Sequence, residues 1–446
     1  MSASRRTLCV VILAGLALAA CGTTPAVPSP TTSDGPSPPA QGSATPAASI
    51  PASPAASVTA TPVGTKAAWL PAGDLREARS STHVALLGTG EVLVVGSDNV
   101  CAPASGGSDS VEIGDARSGR WETTASLSKP REGPVVVPLR DGRALMTGGL
   151  TGEEDGPSAY SSSYTFDPST RSWSRSGLMH TARAGSAAAV LADGRVLVAG
   201  GLYIDKQNQG SPRALDTSEI WDPTRNAWSQ TGRLGRARIG ASAVTLSDGR
   251  VLIVGGLPDA RANVSLATAE IFDPSTEQWS AAGELESIHT GPLVALPDGG
   301  AIVAGGVVSR EVVEAGESSF REELTATVER YRPTINRWDA TGAMLVAAAD
   351  RTVIGLPDGR VLAAGGVAEG DDRERRLIAD AELLDPVSGI WQATTPMPRP
   401  RAGASAVVLG DGSALVVGGD MDLGPPDDVP SCPGPDAETW RFDPGS

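Results

Sequence analysis

Hydrophobic residues along this chain fall into short runs, each closed by glycine, and the runs recur at a fixed distance. They read TGEVLVVGS at 89–97, DGRALMTGG at 141–149, DGRVLVAGG at 193–201, DGRVLIVGG at 248–256, DGGAIVAGG at 298–306, DGRVLAAGG at 358–366 and DGSALVVGG at 411–419. The spacing is about 50 residues, the length of a four-stranded propeller blade. Runs this short, bounded by Asp-Gly and Gly-Gly, predict strands. No helical periodicity of useful length appears. After the first 21 residues no apolar run approaches the roughly 18 residues that span a bilayer. A repeat of this size cannot bury its own apolar surface and must stack on copies of itself.

A second series follows the first in phase. Each glycine pair leads through a variable stretch to an apolar strand, an acidic turn and a tryptophan. The cleanest copies are YTFDPSTRSW (164–173), SEIWDPTRNAW (218–228) and AEIFDPSTEQW (269–279), with worn copies at 111–121, 328–338 and 381–391. The copy at 437–446 reaches its turn and has no following tryptophan. The missing piece lies at the other end, where Trp69 in AAWLPAGDLREAR matches RSWSRSGLMHTAR at 171–183. This phase predicts an all-β, seven-bladed propeller over 66–446. Its ring is closed by an N-terminal strand that completes the C-terminal blade, which would remove both open edges.

The strand order within a blade follows. Strand a is the small-residue run before Asp-Gly, as in Ala187–Val190, Ser242–Thr245 and Ser405–Val408. Strand b is the run ending in Gly-Gly, strand c carries the Glu-Ile-Phe-Asp type of segment, and strand d starts at the tryptophan. Asp-Gly marks a tight hairpin between a and b, and Asp-Pro places proline where a type I turn between c and d wants it. The pattern DGRVLVAGG…AEIFDPSTEQW resembles kelch repeats, in the bacterial form similar to the central propeller of galactose oxidase. That resemblance implies a fold. Function depends on the site a fold carries.

The N-terminus points to export. Arg5 and Arg6 precede the apolar run Leu8–Ala20, which ends Leu-Ala-Ala before Cys21, so 1–20 reads as a signal peptide. Leu-Ala-Ala-Cys resembles the lipobox of bacterial lipoproteins, and that resemblance implies a lipidated Cys21. The alternative is an ordinary signal peptide with an incidental cysteine. Residues 21–65 then form a tether of Pro, Ser, Thr, Ala and Gly with no apolar cluster to bury. The expected location is extracytoplasmic, anchored to a bacterial cell or outer membrane through lipid.

The formal net charge is −16, and loss of Arg5 and Arg6 makes it −18. That balance argues against nucleic acid as a partner. Of four cysteines, Cys9 lies in the signal and Cys21 at its end. Cys101 and Cys432 remain, both between strands b and c in the neighbouring first and seventh blades, and a disulfide between them is expected in an oxidising compartment. Two free thiols are the alternative.

Candidate chemistry is sparse. The copper site that a galactose-oxidase likeness would imply needs histidines and tyrosines. His83, His180 and His289 fall in different blades, so no cofactor, no metal and no catalytic residue is expected. The acidic clusters Glu153-Glu154-Asp155 and Asp427-Asp428 lack calcium-loop spacing and read as solvated surface. One constellation recurs: Arg79, Arg131, Arg183, Arg238 and Arg401 stand just before strand a, with His289 near that point in the fifth blade and Arg351 three residues later in the sixth. They could ring the channel mouth and bind a carboxylated sugar or an acidic peptide. They could instead pair with the strand-c glutamates Glu112, Glu219, Glu270, Glu329 and Glu382 as framework. The a–b and c–d turns hardly vary, whereas the b–c loops range from 257–267 to 307–324 and 420–435, which marks the b–c/d–a face as the variable one. The expected function is a monomeric, membrane-tethered recognition module for a protein or a carbohydrate. The alternative is a propeller enzyme acting on a sugar, resembling the sialic-acid mutarotase or the oxidase.

Overall fold

The computed structural model describes residues 67–445 apart from 97–107, 152–157, 205–211, 263, 288–289, 315–316, 371–373 and 422–435. The expectations placed on the signal peptide, the tether, Cys21, Cys101, Cys432 and His289 lie outside the described residues. Among those described, the strands form seven four-stranded antiparallel sheets with no helix. Strands a to d are His83–Leu86, Val92–Val95, Val111–Asp115 and Arg120–Thr123 in blade 1, and Val135–Pro138, Ala144–Thr147, Ser162–Asp167 and Ser172–Leu178 in blade 2. Blade 3 has Ala187–Val190, Val196–Ala199, Ser218–Asp222 and Ala227–Gln230; blade 4 has Ser242–Thr245, Val251–Val254, Thr268–Asp273 and Gln278–Glu284. Blade 5 has Leu293–Ala295, Ala301–Ala304, Val328–Arg332 and Arg337–Thr341; blade 6 has Thr352–Gly355, Val361–Ala364, Ala381–Asp385 and Ile390–Ala393. Blade 7 takes Ser405–Val408, Ala414–Val417 and Asp436–Asp443 from one end of the chain, and its strand d, Ala68–Arg79, from the other.

The apolar core sits between blades rather than within them. Leu93 and Val95 of blade 1 pack on Ala144, Met146 and Phe166 of blade 2, while Val92 and Val94 pack on Leu415 and Val417 of blade 7. Both faces of strand b are therefore buried, which is why it reads as an unbroken apolar run without polar alternation. Strand a of each blade lies against strand a of the next around the whole circuit, blade 7 to blade 1 included.

Strand d is locked by its tryptophan. Trp69 pairs in register with Phe442, ring centroids 5.0 Å apart, and the same contact recurs as Phe166 with Trp173, Phe272 with Trp279 and Tyr331 with Trp338. The indole also reaches the preceding blade: Trp69 Nε1 donates to the Thr395 carbonyl at 2.8 Å and Trp121 Nε1 to the Ala72 carbonyl at 2.8 Å. Where the strand-c partner is Gly114, a Cβ would meet the Trp121 ring at 2.4 Å, so the side chain is omitted.

The Asp-Gly hairpins take three loop residues. Leu139 N donates to Arg143 O at 2.7 Å and Gly142 N to Leu139 O at 3.0 Å, with Gly142 at φ 88°. This is a type I turn followed by a left-handed residue, and only the glycine adopts that conformation without strain. The aspartate stabilises it by accepting the amide of the residue two positions on, as Asp193 does from Arg195 at 3.0 Å.

Candidate functional site

Topology gathers two sets of loops on one face. Bridges join the residue after the recurrent arginine to the start of the following b–c loop: Glu132 with Leu150, Ala184 with Leu202, Ile239 with Leu257 and Ala402 with Asp420. In blade 6 the bridge widens into the sheet Ala348–Ala349, Val367–Glu369 and Arg375–Leu377. In blade 5 the loop is a hairpin, Val307–Glu314 with Glu317–Leu324. The d–a and b–c segments thus build a second layer over one mouth of the ring.

The arginines hold that layer from below. Arg79 and Arg238 are 0% exposed, Arg183 and Arg401 1%, and Arg131 2%. The Arg183 guanidinium meets Glu219 at 2.8 Å and donates to Gly200 O at 2.8 Å; Arg79 meets Glu112 at 3.0 Å and Arg238 meets Glu270 at 3.0 Å. The same carboxylates cap the crossover: Glu219 accepts the amides of His180 and Thr181, and Glu382 those of Leu345 and Val346. Arg351, though displaced in sequence, reaches Glu382 at 2.6 Å and fills the same role in blade 6. Burial pulls the pKa of Arg131, Arg183, Arg238 and Arg401 below the ordinary arginine value, and the facing carboxylates or tyrosines pull it back up. Of the two arrangements open to these arginines, the geometry is that of the framework, and they offer almost no side-chain surface to a ligand from solvent.

The glycine pair completes this joint between blades. Gly201 N donates to Arg238 O at 2.7 Å, and a Cβ on Gly200 would sit 2.5 Å from that same carbonyl. Both glycines are left-handed, at φ 68° and 98°. Gly-Gly therefore marks the closest approach of neighbouring blades.

Hydrogen bonds link the crossovers of blades 2, 3 and 4 in turn, and those of blades 6 and 7. Gly185 N donates to Gly133 O, Gly240 N to Gly185 O at 2.9 Å, and Gly403 N to Asp350 O at 2.9 Å. These positions are left-handed, at φ 56° for Gly133 and Gly185, 67° for Gly240 and 63° for Gly403. Asp350 holds the same conformation, at φ 54°, without being glycine. Its side chain lines a cavity of about 170 Å³ between blades 5, 6 and 7, walled by Thr290, Pro292, Gly306, Ala349, Gly403 and Ala404. Asp420, bridged to Ala402 beside Gly403, is close enough for its charge to act on Asp350. Burial first, and then Asp420, push the Asp350 carboxyl up to about 7, against the opposing pull of Arg375. Burial raises Asp420 to about 6, opposed by the Ser80 hydroxyl. Sequence reading missed this pair. The signal was present in one place, where an aspartate stands at a position glycine holds in five other blades.

Elsewhere the chemistry is quiet. His83 is buried and desolvation lowers its pKa to about 4, which keeps it neutral. His180 lies at the rim with Nδ1 3.0 Å from Glu219. Among the described residues no group of three His, Cys, Asp or Glu could hold a metal. Glu153, Glu154, Asp155, Asp427 and Asp428 lie outside the described residues. Counted from the sequence alone, the seven segments between each glycine pair and strand c hold 22 acidic and 8 basic side chains, most of the chain's −16.

The comparisons agree with the ring. The Kelch motif family model matches residues 239–286, which run from just before strand a of blade 4 to just past its strand d. The chain is a kelch-repeat propeller. It is 23% identical to Kelch-like protein 36 of Bos taurus over 66% of this chain and 44% of that one. It is 27% identical to Beta-scruin of Limulus polyphemus over 46% of this chain and 22% of that one. The kelch propeller thus spans less than half the length of these curated relatives. A solved fungal alcohol oxidase of the AA5 family, in complex with copper, superposes with a TM-score of 0.61 at 18% identity, covering 84% of this chain and 76% of that one. The likeness to that oxidase is one of fold.

Proposed function

We propose that this kelch propeller is an exported, lipid-anchored recognition module that binds a protein through its b–c/d–a face. The observation that carries the reading is the second layer. Strands Leu202–Tyr203 with Arg213–Ala214, the blade 5 hairpin and the blade 6 sheet all rise on that face, while the a–b hairpins on the other keep one length. Diversified loops on a rigid ring are the usual basis of recognition, and kelch repeats occur in relatives joined to other modules, such as the kelch repeat and BTB domain-containing protein of Caenorhabditis elegans. Anchoring is proposed at Cys21, with 22–65 as tether and a Cys101–Cys432 disulfide joining blades 1 and 7. The test replaces 307–324 and 367–379 by segments the length of 257–267 and follows retention of partners captured from secreted proteins and glycans. Lost retention with an unchanged melting temperature supports the reading; unchanged retention removes it.

A second reading, a sugar-acting enzyme at the ring mouth, is favoured by Asp350 and Asp420, two carboxyls of unequal pKa at one opening. The cavity of about 170 Å³ counts against it, because pockets that enclose a small molecule run to roughly 300–1,000 Å³. Catalysed anomer exchange of free aldoses, followed by NMR and abolished in Asp350→Asn, would put the enzyme first.

A further inference from the structure

The cavity between blades 5, 6 and 7 measures about 170 Å³, several times the share of one water molecule. Its walls are small: Gly306, Ala348, Ala349, Gly403 and Ala404 contribute little beyond backbone and methyl groups. One long, thin side chain would fill it. The charges around it set the sign of what enters. Asp350 lines the cavity and Asp420 lies across the 402–403 backbone from it. Arg351 also lines it, but its guanidinium is committed to Glu382. Arg375, on the blade 6 sheet, acts on Asp350 from the other side. Arg375 also acts on Glu322, so with the carboxyls ionised negative charge exceeds positive around Asp350 among the described residues, and a further cation offsets it. The loops above it are acidic in excess, which repels an anionic ligand and draws a basic one.

We propose that this cavity receives one ammonium group, carried by a lysine side chain of a partner protein whose contacting surface is basic. The inference rests on the recognition reading and names the partner's chemistry. It also reverses the sign expected of an arginine-lined mouth, since those arginines are buried and matched by carboxylates. Without ligand the carboxyls retain protons near neutrality, as burial of Asp350 and Asp420 dictates. An ammonium entering beside Asp350, with Asp420 across the backbone, favours their ionised forms, so binding releases protons and tightens as pH rises from about 5 to 8. Among the described residues the groups acting on Asp350 are Asp420 and Arg375, Arg351 lines the cavity beside it and Glu322 shares Arg375; Ser80 faces Asp420, and His289, Asp371, Asp372 and Arg373 lie outside the described residues.

The experiment uses the exported full chain, a pentapeptide Gly-Ser-Lys-Ser-Gly with both ends blocked, and the same peptide acetylated on Nζ. Calorimetry in two buffers of different ionisation enthalpy reads affinity and proton release together. The lysine peptide is expected to bind in the micromolar to millimolar range with net proton release, and the acetylated peptide at least about tenfold more weakly. Asp350→Asn with Asp420→Asn should reduce binding about tenfold and abolish the proton release. Asparagine tolerates the left-handed conformation, so the ring persists, and an unchanged or raised melting temperature verifies this. Equal binding of both peptides, no binding at all, or binding unchanged in the double variant overturns the proposal. The recognition reading falls separately, through shortening of 307–324 alone, which leaves Asp350, Asp420 and Arg375 in place.

Discussion

Blade 2 lacks the strand-c glutamate of its neighbours, and its arginine turns to tyrosine instead. Tyr164 occupies the register position of Glu219 and Glu270, and the Arg131 guanidinium lies 4.2 Å from the Tyr160 ring centroid and 5.3 Å from that of Tyr164. In blade 7 Trp440 takes that position and Arg401 pairs with Asp436 at 2.7 Å. The clamp survives a change of chemistry because the requirement is a counter-charge or a π face for a buried cation. Arg183→Gln would leave Glu219 buried without its charged partner, and a loss of about 3–5 kcal/mol is expected. Arg131→Gln removes cation–π and backbone contacts without stranding a carboxylate, and about 1–3 kcal/mol is expected. Urea denaturation of the two variants checks the order. Asp350 predicts the opposite sign. Its carboxyl binds a proton more tightly folded than unfolded, so the folded state gains below about pH 7 and loses that gain as pH rises through it. Asp350→Asn should therefore flatten the stability profile between pH 5 and 8, and at pH 8 stabilise by about 1–2 kcal/mol, the rim position being partly solvated. A melting temperature at pH 8 below that of the wild type would refute this.

At the scale of strands and turns, sequence and structure meet because each element carries its own chemistry. Strand a at Ala187–Val190, Ser242–Thr245 and Ser405–Val408 falls at the predicted bounds. Asp-Gly, Asp-Pro and tryptophan each mark a local backbone need. The site was less legible, because its parts come from three blades. Nothing near residue 350 in sequence signals that Thr290, Gly403 and Asp420 will surround it, and the pKa of Asp350 is set by that packing. Arg351 shows the converse: its displacement in sequence hid a role that its side-chain length restores. The closing strand yields a direct test. Deleting 66–76 removes Trp69 and Ala72 and bares the edge of Asp436–Asp443, so a drop of more than 10 °C in melting temperature is expected. Deleting 22–60 leaves every described contact intact and should change it little. Equal melting temperatures would contradict closure by this strand.

The whole molecule is a ring of seven similar joints, each a layer of apolar side chains between strand b of adjacent blades, and six of the blades carry a buried arginine clamp among the described residues. Period and phase are enough to specify such a ring, which is why its architecture could be read before any contact was known. What the ring carries on its face depends on loops of differing length and on charge placement, and repetition says nothing of either. Membrane attachment is checked at this scale: Cys21→Ser should shift the protein from the membrane fraction to the soluble exported fraction, and a wild-type protein already soluble after export would refute the anchor. Peptide mapping without reduction should find Cys101 and Cys432 joined; two alkylatable thiols would remove the disulfide.

The pairing of Ala68 with Asp443 also sets an order in time. Of the strands in this ring, the first to be made has no partner until the last is complete. Six blades can collapse on their neighbours as they appear, since each is local in sequence, while blade 7 waits on a contact spanning nearly the whole domain. Until then Trp69 stays solvated and the outer edge of blade 7 stays open to other chains. Stretching such a loop raises its entropic cost only slowly, by about 0.6 kcal/mol for each doubling in length, so the delay is kinetic. A nearly finished ring, with that edge still open, is the form in which association with other chains is expected.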